Sequence, residues 1–121
     1  MTLAGRTSNV PPIVEFNSLH NLNFNDLGLL QQAFVHRSYL NEQSAAQTTL
    51  ADNERLEFLG DSVLGFVVSE ILYRRFPAAQ EGELTHLRTV LVRRETLARL
   101  ATELEIGRFL SRKPVNVPPL L

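Results

Sequence analysis

The chain has 121 residues, of which 44% are hydrophobic and 21% are charged, and its formal net charge is −1. This size allows one domain with a modest core, and the absence of cysteine excludes disulfide bonds and thiolate metal sites and fits a reducing compartment. The apolar stretches are far shorter than the roughly 20 residues that span a membrane. Residues 1–14 lack the pattern of a secretory signal. We therefore expect a cytoplasmic protein with no membrane association.

The first fifty residues contain weak helical signals between polar segments. Residues 1–19 are predicted to be a flexible leader, because residues 1–14 show glycine, serine and proline without periodicity. Asn25 or Asp26 is a candidate N-cap for a helix whose apolar residues follow helical spacing. Residues 41–50 are rich in glutamine, serine, threonine and alanine, which predicts a loop.

The next predicted helix is the longest in the chain. It follows a cap at Asp52 or Asn53 and ends near Arg75, before the pair Phe76-Pro77. The residues from Val63 to Tyr73 are nearly all apolar, which is typical of a helix in the middle of a bundle.

Two glycines, Gly60 and Gly65, lie inside this helix, where each costs about 1 kcal/mol relative to alanine. We expect the close approach of another backbone to compensate for them.

Two further helices are predicted from apolar residues at helical spacing: Leu84, Leu87 and Leu91 in one, and Leu97, Leu100, Ala101 and Leu104 in the other. Gly107 is the predicted end of the second, and residues 111–121, with their three prolines, are predicted to be a tail. No segment alternates as a strand does, so the predicted fold class is all-α, a helical bundle.

The charges divide unevenly along the chain. Residues 1–73 carry three cations and eight acids, a net charge of −5, whereas residues 74–121 carry nine cations and five acids, a net charge of +4. A basic surface beside an acidic pocket is what a metal-dependent nuclease needs. Arginines on amphipathic helices are also an ordinary solvated face, and the charge counts alone favour that simpler interpretation.

Three acids share one face of the longest predicted helix. Glu54, Glu57 and Asp61 are separated by three and four positions, while the other faces can serve a core through Leu56, Leu59, Val63, Phe66 and Val67. Like charges one turn apart weaken an isolated helix by roughly 0.2 to 0.5 kcal/mol. A bound divalent cation would reverse the sign of that repulsion.

The segment Glu54-Arg55-Leu56-Glu57-Phe58-Leu59-Gly60-Asp61-Ser62 resembles the signature of the ribonuclease III family, metal-dependent endonucleases that cut double-stranded RNA. The segment from Leu29 to Glu42 is similar to the family's first long helix, with its ending His36-Arg37-Ser38, and the segments 81–88 and 91–98 are similar to its next two helices. The resemblance covers residues 20–110, which we expect to form a ribonuclease III-like endonuclease domain with the all-α bundle of the family.

The resemblance also implies a set of site residues. It makes Glu57 and Asp61 ligands for Mg²⁺, with Mn²⁺ as a substitute, and it places Glu54 near a subunit interface, where this acid assists at the cleavage site. These three acids are the implied catalytic residues. The implied partners are double-stranded RNA and a second copy of the chain in a homodimer.

Other polar residues are candidates for supporting roles. Arg88, Arg93 and Arg94 are candidates for contacts with RNA phosphates, which supply most sequence-independent affinity. His36 is either a proton shuttle or, as we favour, a helix-end histidine bonded to the local backbone. Arg37 and Ser38 are expected to fix the end of a helix and help to position the acidic one rather than touch substrate.

The chain departs from the family pattern after Leu110. The complete family domain continues with a Gly-rich loop and a long helix carrying Asp-x-x-Glu, the second half of the metal site, whereas residues 111–121 do not resemble it. We also expect the chain to lack the double-stranded-RNA-binding domain that often follows in the family. We therefore expect a bundle without its last long helix, an exposed signature helix and impaired activity. The alternative is a non-catalytic module for duplex-RNA binding or dimerisation on the same fold.

Overall fold

The computed structural model describes residues 10–42 and 51–111. Over these residues the chain forms seven helices: α1 Ile13–Leu19, α2 Leu27–Ala33, α3 Arg37–Glu42, α4 Glu54–Arg75, α5 Glu81–Val92, α6 Arg94–Glu103 and α7 Ile106–Phe109. The described part of the chain contains no strand, only an isolated bridge between Val35 and Ser111, so the all-α fold class is confirmed. Parts of the predicted leader, loop and tail, at residues 1–9, 43–50 and 112–121, lie outside the described residues.

The chain divides into two compact units. The first comprises residues 1–54 and 108–121, and the second comprises residues 55–107. The first unit is thus built from two stretches of chain that are far apart in sequence, and the second from one continuous stretch.

A cluster of aromatic rings forms the core of the first unit. The Phe16 ring lies edge-on to Phe34 at 4.7 Å and to Phe109 at 5.2 Å between centroids, and all three side chains are buried. Phe16 and the buried Ile13 belong to α1, so the prediction of a flexible leader was wrong for residues 13–19. Burial of an apolar face, rather than a capping signal, stabilises this short helix, because its N-cap Pro12 makes no side-chain cap hydrogen bond.

Asp26 is the N-cap of α2, as predicted, since its side chain accepts a hydrogen bond from the Leu29 backbone N–H at 3.1 Å. The expected single long helix from Leu29 to Glu42 is instead two short ones. The chain leaves the helix between α2 and α3, where the fully buried Val35 forms its bridge with Ser111. Here Ser111 donates its N–H to the Phe34 carbonyl oxygen at 2.8 Å and accepts from the His36 N–H at 2.8 Å.

Helix α4 begins and ends where the sequence predicts, but it does not lie inside a bundle. Of its described side chains only Leu72 is buried, and the large apolar residues Leu59, Val63, Phe66, Val67, Ile71 and Tyr73 are between 45% and 73% exposed. The prediction that this helix and its apolar residues occupy a core was therefore wrong for the described residues. The expectation of an exposed signature helix is confirmed for them.

The glycines also differ from expectation. A Cβ atom added to Gly60 or Gly65 would meet nothing within 4 Å, so no other described backbone approaches them closely. Gly107 is not a helix end, because α6 ends at Glu103 and Gly107 lies within α7. The turn between these helices uses Glu105, whose φ of 58° lies in the left-handed region.

Helices α5 and α6 contain the two predicted apolar stripes, except that Leu104 is the C-cap of α6. The hydroxyl of Thr96 donates to the Val90 carbonyl oxygen at 2.8 Å, which links the start of α6 to the last turns of α5. Across the described ranges, no helix is long and apolar enough to cross a membrane.

Candidate active site

The start of α4 is held by the turn between α2 and α3. The Asn53 side chain donates from Nδ2 to the Ala33 carbonyl oxygen at 2.9 Å, and its backbone N–H donates to the Val35 carbonyl oxygen at 2.9 Å. Gln32 Nε2 donates to the Asp52 carbonyl oxygen at 3.1 Å, and Asp52 Oδ1 accepts from the Glu54 N–H at 3.1 Å. These four bonds set the position of the first residue of α4, and we call them the helix-start clamp.

Glu54, the first signature acid, is engaged by a cation. Arg37 Nη1 lies 3.3 Å from Glu54 Oε1 in a charge-assisted hydrogen bond. The side chains are 65% and 53% exposed, so the pair contributes little to stability, about 0 to 1 kcal/mol.

Glu57 and Asp61 lie one turn apart on α4, and both are exposed. Residues at this spacing have Cβ atoms about 5–6 Å apart, so their carboxylates can reach a common ion. Within the described ranges, however, no three or more histidine and acidic side chains are grouped to hold a metal. Because Mg²⁺ keeps several waters and uses one or two carboxylates together with substrate phosphates, this donor pair fits an open site for Mg²⁺ rather than a closed one.

His36 makes local contacts. The Ser38 backbone N–H donates to His36 Nδ1 at 3.1 Å, and Ser38 Oγ lies 2.7 Å from the same nitrogen. These contacts belong to the first turn of α3, which is the interpretation we favoured for a histidine at a helix end.

The three candidate RNA-binding arginines are all exposed. Arg88 Nη1 donates to Ser69 Oγ at 3.0 Å, which connects α5 to α4 within the second unit, and Arg93 Nε lies 3.9 Å from Glu95 Oε2. The described structure therefore gives Arg88 a contact between helices, while its role toward RNA, like those of Arg93 and Arg94, stays a prediction.

A groove in the second unit was not foreseen from the sequence. It has a volume of about 540 Å³ and is lined by α4 and α5, including Phe66, Tyr73, Leu84 and Arg88. The signature acids do not line it, and all three are exposed.

Comparison with known proteins gives the family. A profile of the Ribonuclease-III-like family matches residues 26–116. The chain is 55% identical over 87 residues to ribonuclease 3 of Methylococcus capsulatus, covering 72% of this chain and 34% of the relative. It is 45% identical over 96 residues to ribonuclease 3 of Enterococcus faecalis, covering 79% of this chain and 41% of the relative.

Solved structures agree with the sequence comparison. The chain resembles the nuclease domain of ribonuclease III from Campylobacter jejuni with a TM-score of 0.72 and 36% identity, over 84% of this chain and 65% of that one. That structure is described as showing flexibility in a region involved in dimer formation. A 2.2 Å crystal structure of the same nuclease domain gives a TM-score of 0.70.

The helical fold is similar to that of a ribonuclease III nuclease domain. The chain belongs to the Ribonuclease-III-like family. It spans between about a third and two fifths of the length of these two relatives. The family match continues to residue 116, beyond the limit at residue 110 that we predicted for the domain.

Proposed function

We propose that this chain is a ribonuclease III-type endoribonuclease domain that hydrolyses double-stranded RNA with Mg²⁺ and acts as a homodimer. The observation that carries the proposal is the pair Glu57 and Asp61, two exposed carboxylates one turn apart on a helix of a ribonuclease III-like chain. Glu54, at the start of the same helix, assists this pair.

The mechanism assigns a separate task to each group. Glu57 and Asp61 would hold Mg²⁺, for which Mn²⁺ can substitute, through their carboxylate oxygens. When bound, the ion would supply activation of a water molecule and stabilisation of the leaving oxygen. Both carboxylates are exposed, so water and a substrate phosphate could reach the site.

Binding of RNA is proposed to depend on cations in the second half of the chain. Arg88, Arg93 and Arg94 are exposed on α5 and α6 or between them, where their guanidinium groups can contact phosphates. Duplex RNA is recognised mostly by shape, by 2′-hydroxyls and by phosphates, so we expect affinity that falls with salt and varies little with sequence.

The exposed apolar face of α4 supports the homodimer. Leu59, Val63 and Val67 are each at least 45% exposed, and contiguous exposed apolar surface of this kind marks interaction sites. A region involved in dimer formation is described for the related Campylobacter jejuni nuclease domain.

The proposal is tested by cleavage of long duplex RNA. Wild-type protein should cleave when Mg²⁺ is added and stop when the ion is chelated. Glu57→Gln and Asp61→Asn should each lower the rate by about 100-fold or more, since even indirect partners of a metal cost 10- to 100-fold. Glu70→Gln removes an acid from another face of α4, one paired with Arg74 at 3.2 Å, and should leave the rate near wild type. No cleavage by folded wild-type protein at any Mg²⁺ concentration would contradict the proposal.

A second candidate is a non-catalytic module that binds duplex RNA. It is favoured by the lack of a group of three metal ligands within the described ranges. Gel-shift binding that weakens with salt and ignores Mg²⁺, without cleavage, would support it. Absence of any binding would exclude it. The cytoplasmic location stays a prediction, which cell fractionation would check.

A further inference from the structure

The bond between Arg37 and Glu54 joins two residues whose backbones are both fixed. Arg37 begins α3 directly after His36, whose N–H donates to the Ser111 carbonyl oxygen at 2.8 Å. Glu54 begins α4 directly after Asn53, which is bonded to Ala33 and Val35 in the helix-start clamp. An exposed ion pair must hold two long side chains in one geometry, which costs side-chain entropy. Here the backbone contacts place the first residues of α3 and α4, so only the two side chains remain to be ordered.

Arg37 contacts only the first of the three signature acids. Glu54, Glu57 and Asp61 recur at helical spacing on one helix, yet Arg37 engages Glu54 alone among them, at 3.3 Å. A carboxylate oxygen that accepts a charge-assisted hydrogen bond from a guanidinium cannot bind a metal ion equally well, because the cation and the ion compete for the same lone pairs.

We infer that Arg37 is a positioning residue that withholds Glu54 from the metal site and leaves Glu57 and Asp61 as the carboxylates that bind the ion. The inference rests on the proposed function, because it concerns the same metal. It assigns Glu54 a supporting place beside the site, fixed by Arg37, rather than a place in the ion's coordination.

Removal of the Arg37 guanidinium should strengthen the binding of a divalent ion. In Arg37→Gln the Glu54 carboxylate is released one turn from Glu57, and a divalent ion gains a third carboxylate. Removing a cation also raises affinity for a positive ion by simple electrostatics. Arg55→Gln is the matched control, because Arg55 is an exposed cation in the same turn of α4, and none of the described residues forms an ion pair with it.

Binding of Mn²⁺ alone, followed by electron paramagnetic resonance in the absence of RNA, provides the test. Arg37→Gln should tighten binding roughly two- to fivefold more than Arg55→Gln, a range that corresponds to the usual strength of an exposed ion pair. In a Glu54→Gln background the two substitutions should have equal effects, and Arg37→Lys should stay closer to wild type than Arg37→Gln. Equal effects of the two glutamine substitutions in the wild-type background would overturn the inference.

A second measurement needs no variant at Arg37. In ¹³C spectra of the wild-type side-chain carboxyls, a titration with Mg²⁺ alone should shift the Glu57 and Asp61 signals and leave Glu54 nearly unchanged. A Glu54 shift as large as theirs would overturn the inference.

If Glu57 and Asp61 bind no metal ion, both experiments give a different result. If Glu57→Gln and Asp61→Asn bind Mn²⁺ as tightly as wild type, and Mg²⁺ shifts none of the three carboxyl signals, the metal site itself is refuted. If the Glu57 and Asp61 variants weaken binding and Arg37→Gln matches Arg55→Gln, the metal site stands and only the role of Arg37 is refuted.

Discussion

The backbone N–H of Asn53 donates to the carbonyl oxygen of Val35 across 2.9 Å, and Val35 is completely buried. The residue directly before the signature helix is therefore attached to a fixed point of the first unit. This attachment fixes the first residue of that helix, and its side-chain part can be removed by mutation.

Asn53→Ala should lower the free energy of unfolding by about 0.5–1.5 kcal/mol, because it removes the Nδ2 bond to the Ala33 carbonyl oxygen. Urea denaturation measures the change. Gln80→Ala is a suitable control, since Gln80 precedes α5 and makes no side-chain cap hydrogen bond. Equal losses in the two variants would mean that the Asn53 side-chain bond contributes nothing.

Phe16→Ala should lower the free energy of unfolding by about 3–5 kcal/mol, as is usual for removal of a buried aromatic ring. Phe16 is 6% exposed, whereas Phe58 is 80% exposed, so Phe58→Ala should cost far less at protein concentrations that keep the chain monomeric. Thermal and urea unfolding of both variants provide the comparison. A stable Phe16→Ala protein would show that α1 is dispensable for the first unit.

Gly60→Ala should stabilise the chain by up to about 1 kcal/mol, because alanine is the better helix former and its Cβ meets no described atom within 4 Å. Gly28→Ala should increase the stability less than Gly60→Ala does, since a Cβ there would lie 3.1 Å from Asp26 Oδ1, the atom that caps α2. Differential scanning calorimetry measures both. A loss of stability in Gly60→Ala would indicate that another surface packs against this position.

Val63→Lys should weaken self-association of the chain by roughly tenfold or more, a loss of about 1.4 kcal/mol, because it places a charge on the exposed apolar face of α4. Sedimentation over a range of concentrations measures the effect. Ala98→Lys adds the same charge at an exposed position of α6 and should leave association unchanged. An unaltered association constant for Val63→Lys would exclude this face as the contact.

Addition of Mg²⁺ should raise the melting temperature of the wild-type chain, since a ligand that binds only the folded state at 100 times its Kd contributes about 2.7 kcal/mol. The rise should disappear in the double variant Glu57→Gln/Asp61→Asn. A matched ionic strength of KCl controls for screening. The same rise in the double variant would place the ion elsewhere.

Local signals in the sequence predicted the long helices well. The bounds of α4 follow from caps at Asp52 or Asn53 and from the stop at Phe76-Pro77, and all of these act within a few residues. The shared face of Glu57 and Asp61 follows in the same way from the helical repeat, which does not depend on the rest of the fold.

Features that depend on distant residues were not predictable in this way. Helix α1 has no side-chain cap and is stabilised when Phe16 packs on Phe34 and Phe109. The break between α2 and α3 requires the pairing of Val35 with Ser111. The ion pair between Glu54 and Arg37 was not predictable either, because Arg37 lies in a separate helix and no local sequence pattern connects the two residues.

The bridge between Val35 and Ser111 also affects how the chain can fold. Because the first unit draws on both ends of the described chain, its core lacks Phe109 until synthesis has passed residue 109. Residues 55–107 can collapse earlier, as a continuous stretch. Closing the large loop between the two stretches carries an entropic cost that local helix formation does not, so we expect the aromatic core to form after the local helices.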